Sequence, residues 1–207
     1  MLDNGLPIYA DNSGYYKGDD YIENVKINRD WRLRLFMKAP GEVKAFINIP
    51  TPQIEQLPPI CAGSTTGAQT SETGYDVKKG LSYDKEMSNG YGMDITALPI
   101  FRAAEAYLIY IEACYEKNGA IDELADKYWK AIRVRAGVDP DYQKTIAATD
   151  MQKEALNDFG AYSHNELIDP TLYNIRRERR CELMAEGFRF SDLKRWRALD
   201  QVKNFHP

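Results

Sequence analysis

The spacing of apolar side chains changes along the chain and divides it into two regions. Over residues 1–95, short apolar runs alternate with clusters of Gly, Asn, Ser and Thr, which are typical of turns and loops. From residue 96 onward, apolar positions recur at the three- and four-residue spacing of helices. The pattern predicts a mainly α fold, with a loop-rich region and short strands over 1–95 and a helical region over 96–207.

Two short extended pieces are predicted in the loop-rich region, at residues 31–37 and 43–49. Proline has no backbone N–H to donate to a strand ladder, so a long central strand is excluded nearby. The prolines in question are Pro50, Pro52, Pro58 and Pro59.

The helical region begins with a predicted hairpin over residues 98–137. Its first helix, 99–118, is expected to end at Gly119, and its second, 120–136, at Gly137. The first helix has apolar side chains on two sides, which predicts that it lies between two neighbours. The hairpin resembles one tetratricopeptide-like (TPR-like) unit. Such units need about three stacked copies, so the chain is expected to be part of a longer one.

Charged residues fall on the apolar face of a later helix, predicted within 172–186. At about 100° per residue, Glu182 and Glu186 lie in the same arc as Leu183. A last helix is expected after Gly187, reaching about residue 200, with Ser191 as its N-cap.

Carboxylates on a core face need cationic partners, because an unpaired buried charge costs several kcal/mol. Folding the hairpin at Gly119 brings Glu105 level with Arg135, and Arg102 is a further candidate partner. The sequence therefore predicts a structural ion network within the helical region. Its members are Glu105, Glu112, Arg135, Arg179, Glu182, Glu186 and Arg189.

Composition excludes several classes of function. A net charge of −4 and a pI near 5.3 argue against a nucleic-acid partner. Three scattered cysteines and two histidines form no disulfide, metal or cofactor pattern, and no catalytic motif is present. Glu182 and Glu186 lie one helical turn apart, as a glycosidase pair could. Arginine neighbours would, however, lower both pKa values, whereas a general acid needs one raised.

Four ordered stretches of the chain form recognisable motifs. Asn28–Leu33 reads N-R-D-W-R-L, and T-G-Y follows at 73–75 with two lysines at 78 and 79. The hairpin contributes P-I-F-R-A-A-E at 99–105 and R-V-R-A-G at 133–137. The run at 178–187 reads E-R-R-C-E-L-M-A-E-G, and it is followed by D-L-K-R-W at 192–196. Together these stretches resemble the SusD/RagB family of glycan-binding outer-membrane lipoproteins, in its C-terminal part and without its signal peptide, lipid-modified cysteine and further helices.

The resemblance implies a non-catalytic protein at the surface of the cell outer membrane. Such a protein binds an oligosaccharide or peptide nutrient and delivers it to a SusC-like TonB-dependent transporter. Membrane association would come only through a lipid anchor that this chain lacks, and no cofactor is implied. The charged run is expected to be structural and the ligand to contact loops. One alternative stays open, a TPR-type scaffold that binds a protein and has no sugar site.

Sugar recognition needs flat aromatic faces and planar polar groups on a preformed surface. The first loop-rich stretch supplies both, punctuated by glycine. We therefore predict ligand contacts from Tyr9, Asn12, Tyr15, Tyr16 and Trp31.

Overall fold

A computed structural model describes residues 1–10, 13–55, 75–87, 95 and 99–204. The chain forms two compact units, one of residues 1–16 and 101–207 and the other of residues 17–100. We call them the helical unit and the loop-rich unit. The first 16 residues pack with the helices, although the sequence pattern alone places them in the loop-rich region.

The loop-rich unit is built from short elements joined by irregular chain. They are helices α1 (Ile22–Lys26) and α2 (Trp31–Phe36) and strands β1 (Val43–Ala45) and β2 (Gln53–Ile54). The two strands pair antiparallel, with Val43 opposite Ile54. The short strand predicted within 43–49 is therefore confirmed, and it ends ahead of the prolines.

The prediction of an extended piece at 31–37 is wrong, because α2 occupies it. The Asp30 side chain caps this helix by accepting a hydrogen bond from the Leu33 N–H at 3.1 Å. Burial raises the pKa of Asp30, but the Arg32 guanidinium and the Leu33 N–H both act in the opposite direction, and the pKa is lowered below its usual value. The N-cap contact of Asp30 thus favours a helix here, although the apolar and polar residues of this stretch alternate as in a strand.

A buried lysine organises the loop that follows α2. Lys26 donates to the Met37 carbonyl at 2.9 Å and to the Glu42 carboxylate. Lys78 donates to the other Glu42 oxygen at 2.7 Å. Burial lowers the pKa of Lys26 in spite of its ion pair with Glu42. These contacts fix the chain between α2 and β1.

The helical unit contains six helices of the α type among its described residues, together with a two-stranded ladder. The helices are α3 (Ala103–Asn118), α4 (Glu123–Arg135), α5 (Tyr142–Ala147), α6 (Met151–Ala155), α7 (Pro170–Glu182) and α8 (Arg189–Arg195). Strands β3 (Tyr162–Ser163) and β4 (Glu166–Leu167) pair antiparallel. Short 3₁₀ turns lie at Ile8–Ala10, Phe159–Ala161 and Ala198–Asn204.

Helices α3 and α4 form the predicted hairpin. Gly119 ends α3 with a φ of 66°, a left-handed conformation that favours glycine, and its N–H donates to the Tyr115 carbonyl. Asp122 then caps α4 by accepting from the Ala125 N–H at 2.7 Å. Helix α7 packs along α3, so α3 lies between α4 and α7. This position explains why its apolar side chains face two ways.

The later helices differ from the sequence prediction in two respects. Helices α5 and α6 were not predicted, because at six and five residues they are too short to show a helical period. Both begin at aspartate N-caps, Asp141 and Asp150. Ser191 does not cap the last helix, because α8 already begins at Arg189.

The core of the helical unit lies where α3, α4 and α7 meet. Trp129 is buried there and stacks on Tyr142, with ring centroids 4.1 Å apart and planes within 5°. Around them pack Leu108, Ile111, Cys114, Ala125, Ile132, Ile175 and Leu183. Within the part of the chain that the structure describes, no helix is both long and apolar enough to cross a membrane.

Candidate functional site

Charged side chains link α3 to α7 and α8 in a cluster that we call the charged clasp. It consists of Arg102, Glu105, Glu112, Arg135, Arg179, Glu182, Glu186, Asp192 and Arg195. These residues come from the stretches that carry the family resemblance, so their arrangement bears on what those stretches do.

Glu112 is the buried member of the contact between α3 and α8. The residue is 3% exposed, and its carboxylate accepts two parallel hydrogen bonds from Arg195, at 2.7 and 2.6 Å. The indole N–H of Trp196 donates to the same carboxylate at 2.6 Å. This bidentate geometry is the strongest form of arginine–carboxylate pair and joins α3 to the end of α8.

Arg179 forms the middle of the charged clasp. Its Nε donates to both oxygens of Asp192, at 2.9 and 2.8 Å, and Nη2 lies 3.9 Å from Glu105. The guanidinium also lies over the ring of Phe188, 5.4 Å from its centroid. The contacts connect α7 with both α3 and α8.

Arg102 holds the two carboxylates that a glycosidase would need. Its guanidinium donates to Glu182 at 3.0 Å and to Glu186 at 2.6 and 2.9 Å, and Arg135 also donates to Glu182. Burial lowers the pKa of Arg102, but the two carboxylates outweigh it and raise the pKa. Both glutamates are thus engaged in arginine pairs and not presented to a cleft as acid and base.

The structure pairs the predicted ion network differently in two places. Glu105 lies near Arg179 and not beside Arg135, whose partner is Glu182. Arg189 points away from the charged clasp and donates to Asp158. The sequence analysis did not name Arg195, although it lies in the same run as Trp196.

Asp158 and Glu154 form a second cluster of carboxylates, which contacts side chains of α7. Asp158 accepts from Arg180 at 2.6 Å, from Arg189, and from the Gly160 N–H at 2.8 Å. The Tyr173 hydroxyl donates to Asp158 at 3.3 Å and to Glu154 at 2.7 Å. Burial, followed by these carboxylates, raises the pKa of Tyr173 far above its usual range. This cluster fixes the chain before β3 onto α7.

Tyr9, the first predicted ligand residue, is held by the helical unit. Its hydroxyl donates to Glu154 at 2.9 Å and accepts from the Asp150 N–H at 2.9 Å. Lys153 lies over its ring, 5.0 Å from the centroid. These contacts of the Tyr9 hydroxyl and ring anchor the N-terminal segment to the helices.

Ionisation of Tyr9 is expected to reduce stability at alkaline pH. Burial raises its pKa from 10.0 to about 12; the Asp150 N–H opposes the shift and Glu154 adds to it. A raised folded-state pKa contributes stability that is present below pH 10 and lost as the pH rises toward 12. Urea unfolding between these pH values should show a steeper fall for the wild type than for Tyr9→Phe. The exposed Tyr21→Phe is the control, and an equal fall in all three proteins would contradict this role.

The other predicted ligand residues are distributed over both units. Tyr15 donates to Asp3 at 2.7 Å, and Tyr15 and Tyr16 are half-buried in the helical unit. Asn12 lies outside the described residues. Trp31 belongs to the loop-rich unit, is 48% exposed, and has Arg34 4.7 Å from its ring centroid.

An exposed aromatic pair in the loop-rich unit was missed by the sequence analysis. Phe46 is 53% exposed and Tyr83 is 42% exposed, and their ring centroids lie 5.3 Å apart with planes at 36°. Backbone contacts hold them together, because the Phe46 N–H donates to the Tyr83 carbonyl at 3.0 Å and Ile47 bridges with Asp84. The two residues lie 37 positions apart, so local pattern could not bring them together.

Planar polar groups border this aromatic pair. The Asn48 amide donates to Asp84 at 2.8 Å, and Asp84 is buried and accepts from the Glu86 N–H at 2.9 Å. Asn48 is exposed and has a φ of 55°. Two exposed rings beside an exposed amide, which the buried Asp84 carboxylate holds in place, form a surface suited to an apolar sugar face and its hydroxyls.

The described residues show no metal-binding arrangement. No group of three or more His, Cys, Asp or Glu side chains lies close enough together to hold an ion. Cys114 is buried and Cys181 half-buried, and both are free thiols.

Comparison with known proteins and with family models gives one match. Neither a curated protein nor a solved structure gives a significant match to the chain. The model of the SusD family matches residues 2–206, nearly the whole chain. The stretches that form the clasp and the hairpin lie within this match, and the chain belongs to the SusD family.

Proposed function

We propose that this chain binds a glycan, or a peptide used as a nutrient, at the outer-membrane surface and passes it to a SusC-like TonB-dependent transporter. The observation that carries the proposal is membership of the SusD family across residues 2–206. Proteins of this family are outer-membrane lipoproteins that bind nutrients and are generally not catalysts. The transporter partner, the surface location and the ligand are parts of the proposal.

Engagement of the charged clasp supports binding rather than hydrolysis. Glu112 is enclosed by Arg195 and Trp196, and Arg102 takes up Glu182 and Glu186. Their role is to join helices, so a ligand has to be recognised elsewhere.

The surface at Phe46 and Tyr83 is the best supported recognition site among the described residues. Both rings are exposed, backbone contacts fix their spacing, and Asn48 and Asp84 lie alongside. A preformed aromatic surface loses little conformational entropy on binding. The hydroxyls of Tyr9 and Tyr15, in contrast, are already bound within the protein.

The double variant Phe46→Ala/Tyr83→Ala is expected to weaken glycan binding at least about tenfold, because about 1.4 kcal/mol corresponds to tenfold and one lost aromatic contact can supply it. Both side chains are exposed, so the melting temperature should change little. Calorimetric titration against a panel of soluble polysaccharides and peptides measures the effect.

The matched control is Tyr15→Ala/Tyr16→Ala, which removes two aromatic rings from the other predicted surface. Weakened binding in this variant alone would assign the ligand to the first loop-rich stretch and contradict a site at Phe46 and Tyr83. An absence of binding to every member of the panel by the wild type would contradict the proposed function itself.

A protein-binding scaffold is the second candidate, and one observation favours it. Helix α3 exposes Ile109 to 49% and Tyr110 to 38%, and α4 exposes Val134 to 63%. Apolar helical surface of this kind often contacts another protein. Capture of a protein partner that is lost in Ile109→Asp, with no glycan bound by the wild type, would favour the scaffold.

A further inference from the structure

A cavity of about 290 Å³ lies in the helical unit, where the end of α7 turns into α8. Leu183, Met184, Ala185, Gly187 and Phe188 form its apolar part. Arg179, Arg180, Arg189 and Asp192 form its charged part. The cavity takes no part in the function proposed above, and it shares Arg179 and Asp192 with the charged clasp.

The cavity lining carries more positive than negative charge. Three guanidinium groups line it, those of Arg179, Arg180 and Arg189, against one carboxylate, that of Asp192. The side chains of Arg180 and Arg189 are each 37% exposed, whereas that of Asp192 is 6% exposed. This excess of guanidinium groups favours an anion.

Arg179 supplies a second and independent observation. Its side chain is 5% exposed and lines the cavity, and its Nη1 is buried without a hydrogen-bond partner among the described residues. A buried guanidinium N–H without an acceptor is unfavourable, because desolvation of the charged donor is left uncompensated. Because Arg179 lines the cavity, a small shift of its guanidinium toward an acceptor oxygen there would supply the missing contact.

The size of the cavity limits the ligand. Small-molecule pockets usually span about 300–1,000 Å³, so this cavity, at about 290 Å³, lies just below that range and suits only a small ligand. Its apolar wall, formed by Leu183, Met184 and Phe188, suits the body of a small molecule, and arginine suits a carboxylate through paired hydrogen bonds. We propose that the cavity binds a small carboxylic acid, with the carboxylate on the arginine side and an apolar or ring-shaped body against Met184 and Phe188.

Such a carboxylate could belong to an acidic sugar or to an aliphatic acid. Calorimetric titration of the full chain with sodium glucuronate, sodium hexanoate and D-glucose separates these sources. We expect saturable binding of at least one acid and binding of D-glucose at least about tenfold weaker, because glucose has no carboxylate to form an ion pair with the guanidinium groups. The acid that binds more tightly shows whether the carboxylate belongs to an acidic sugar or to an aliphatic acid.

Two variants assign the binding to the cavity. Arg180→Gln removes one cation while Asp158 keeps its contacts with Arg189, Gly160 and Tyr173, and it should weaken the acid at least about tenfold. Arg197→Gln, at an exposed arginine that does not line the cavity, is the matched control and should leave affinity unchanged. Met184→Trp keeps every charge and fills the cavity, so it should abolish binding even if Arg180→Gln fails to fold.

Three results would each overturn the proposal. They are no saturable binding of either acid, equal binding of glucose, and undiminished acid binding in Met184→Trp. A failure of the polysaccharide titration leaves this proposal standing, because the acid titration concerns different residues from Phe46 and Tyr83.

Discussion

Replacing Glu112 with glutamine is expected to lower the free energy of unfolding by about 1.5–3 kcal/mol, the contribution of hydrogen bonds to a charged group. The amide can accept only through its one oxygen, so Arg195 would lose its paired contact with Glu112 and keep its contact with Asp192, and the Trp196 indole would face a weaker acceptor. Because domains are stable by only about 5–15 kcal/mol, this loss is a large part of the total stability. Urea unfolding of the purified variant gives the value.

Glu116→Gln is the matched control for this variant. Glu116 lies one helical turn further along α3 and is exposed, so the same change should alter stability by less than about 0.5 kcal/mol. A loss as small as this in Glu112→Gln would show that the charged clasp does not hold α3 to α8.

Asp158→Asn is expected to have the second large effect, again about 1.5–3 kcal/mol, because Asp158 is buried and accepts from charged groups that are themselves partly exposed. The neutral side chain would leave Arg180 and Arg189 without their shared charge and would weaken the acceptor for Tyr173. Thermal unfolding should show the change as a lower melting temperature. The control is Asp200→Asn, because Asp200 pairs with the exposed Arg197 and surface ion pairs contribute about 0–1 kcal/mol.

An unchanged melting temperature for Asp158→Asn would mean that the two arginines are satisfied by solvent. The segment before β3 would then be held to α7 by other contacts. Crystal or solution structures of the variant should instead show this segment displaced if the ion contacts fix it.

The helical elements could be predicted because their signals are local. Periodic apolar positions and the terminators Gly119 and Gly137 located α3 and α4, and the charged face of 172–186 located α7. Short elements were not predicted, because a local signal needs more residues than they have. Helices α5 and α6 have too few residues for a period, and α2 depends on one capping contact by Asp30.

The ion pairs show where prediction from sequence ends. Burial of Glu112 follows from its position on the apolar stripe of α3, but its partner Arg195 depends on how α8 packs against α3. The pairing of Arg135 with Glu182 instead of Glu105 likewise depends on the positions of α4 and α7. Helical periodicity shows which side of a helix is buried, but it does not show which residue of another helix contacts that side.

The candidate binding surface was the least predictable feature. Ligand contacts were predicted for Tyr9 to Tyr16 because aromatic and polar residues are adjacent there in sequence. The structure shows that the hydroxyls of Tyr9 and Tyr15 instead form hydrogen bonds within the protein. Phe46 and Tyr83 are brought together by a bridge between Ile47 and Asp84 across a long stretch of chain. Binding surfaces formed by loops are set by such non-local contacts.

A single comparison tests the central claim that the charged clasp is structural and that ligand recognition lies in the exposed aromatic surface. Glycan affinity is measured by calorimetry for the wild type, Glu112→Gln and Phe46→Ala/Tyr83→Ala, at a temperature where all three are folded. The account predicts that Glu112→Gln binds as tightly as the wild type despite its lower stability, and that the aromatic variant loses binding at unchanged stability. Loss of affinity in folded Glu112→Gln, with binding intact in the aromatic variant, would contradict it.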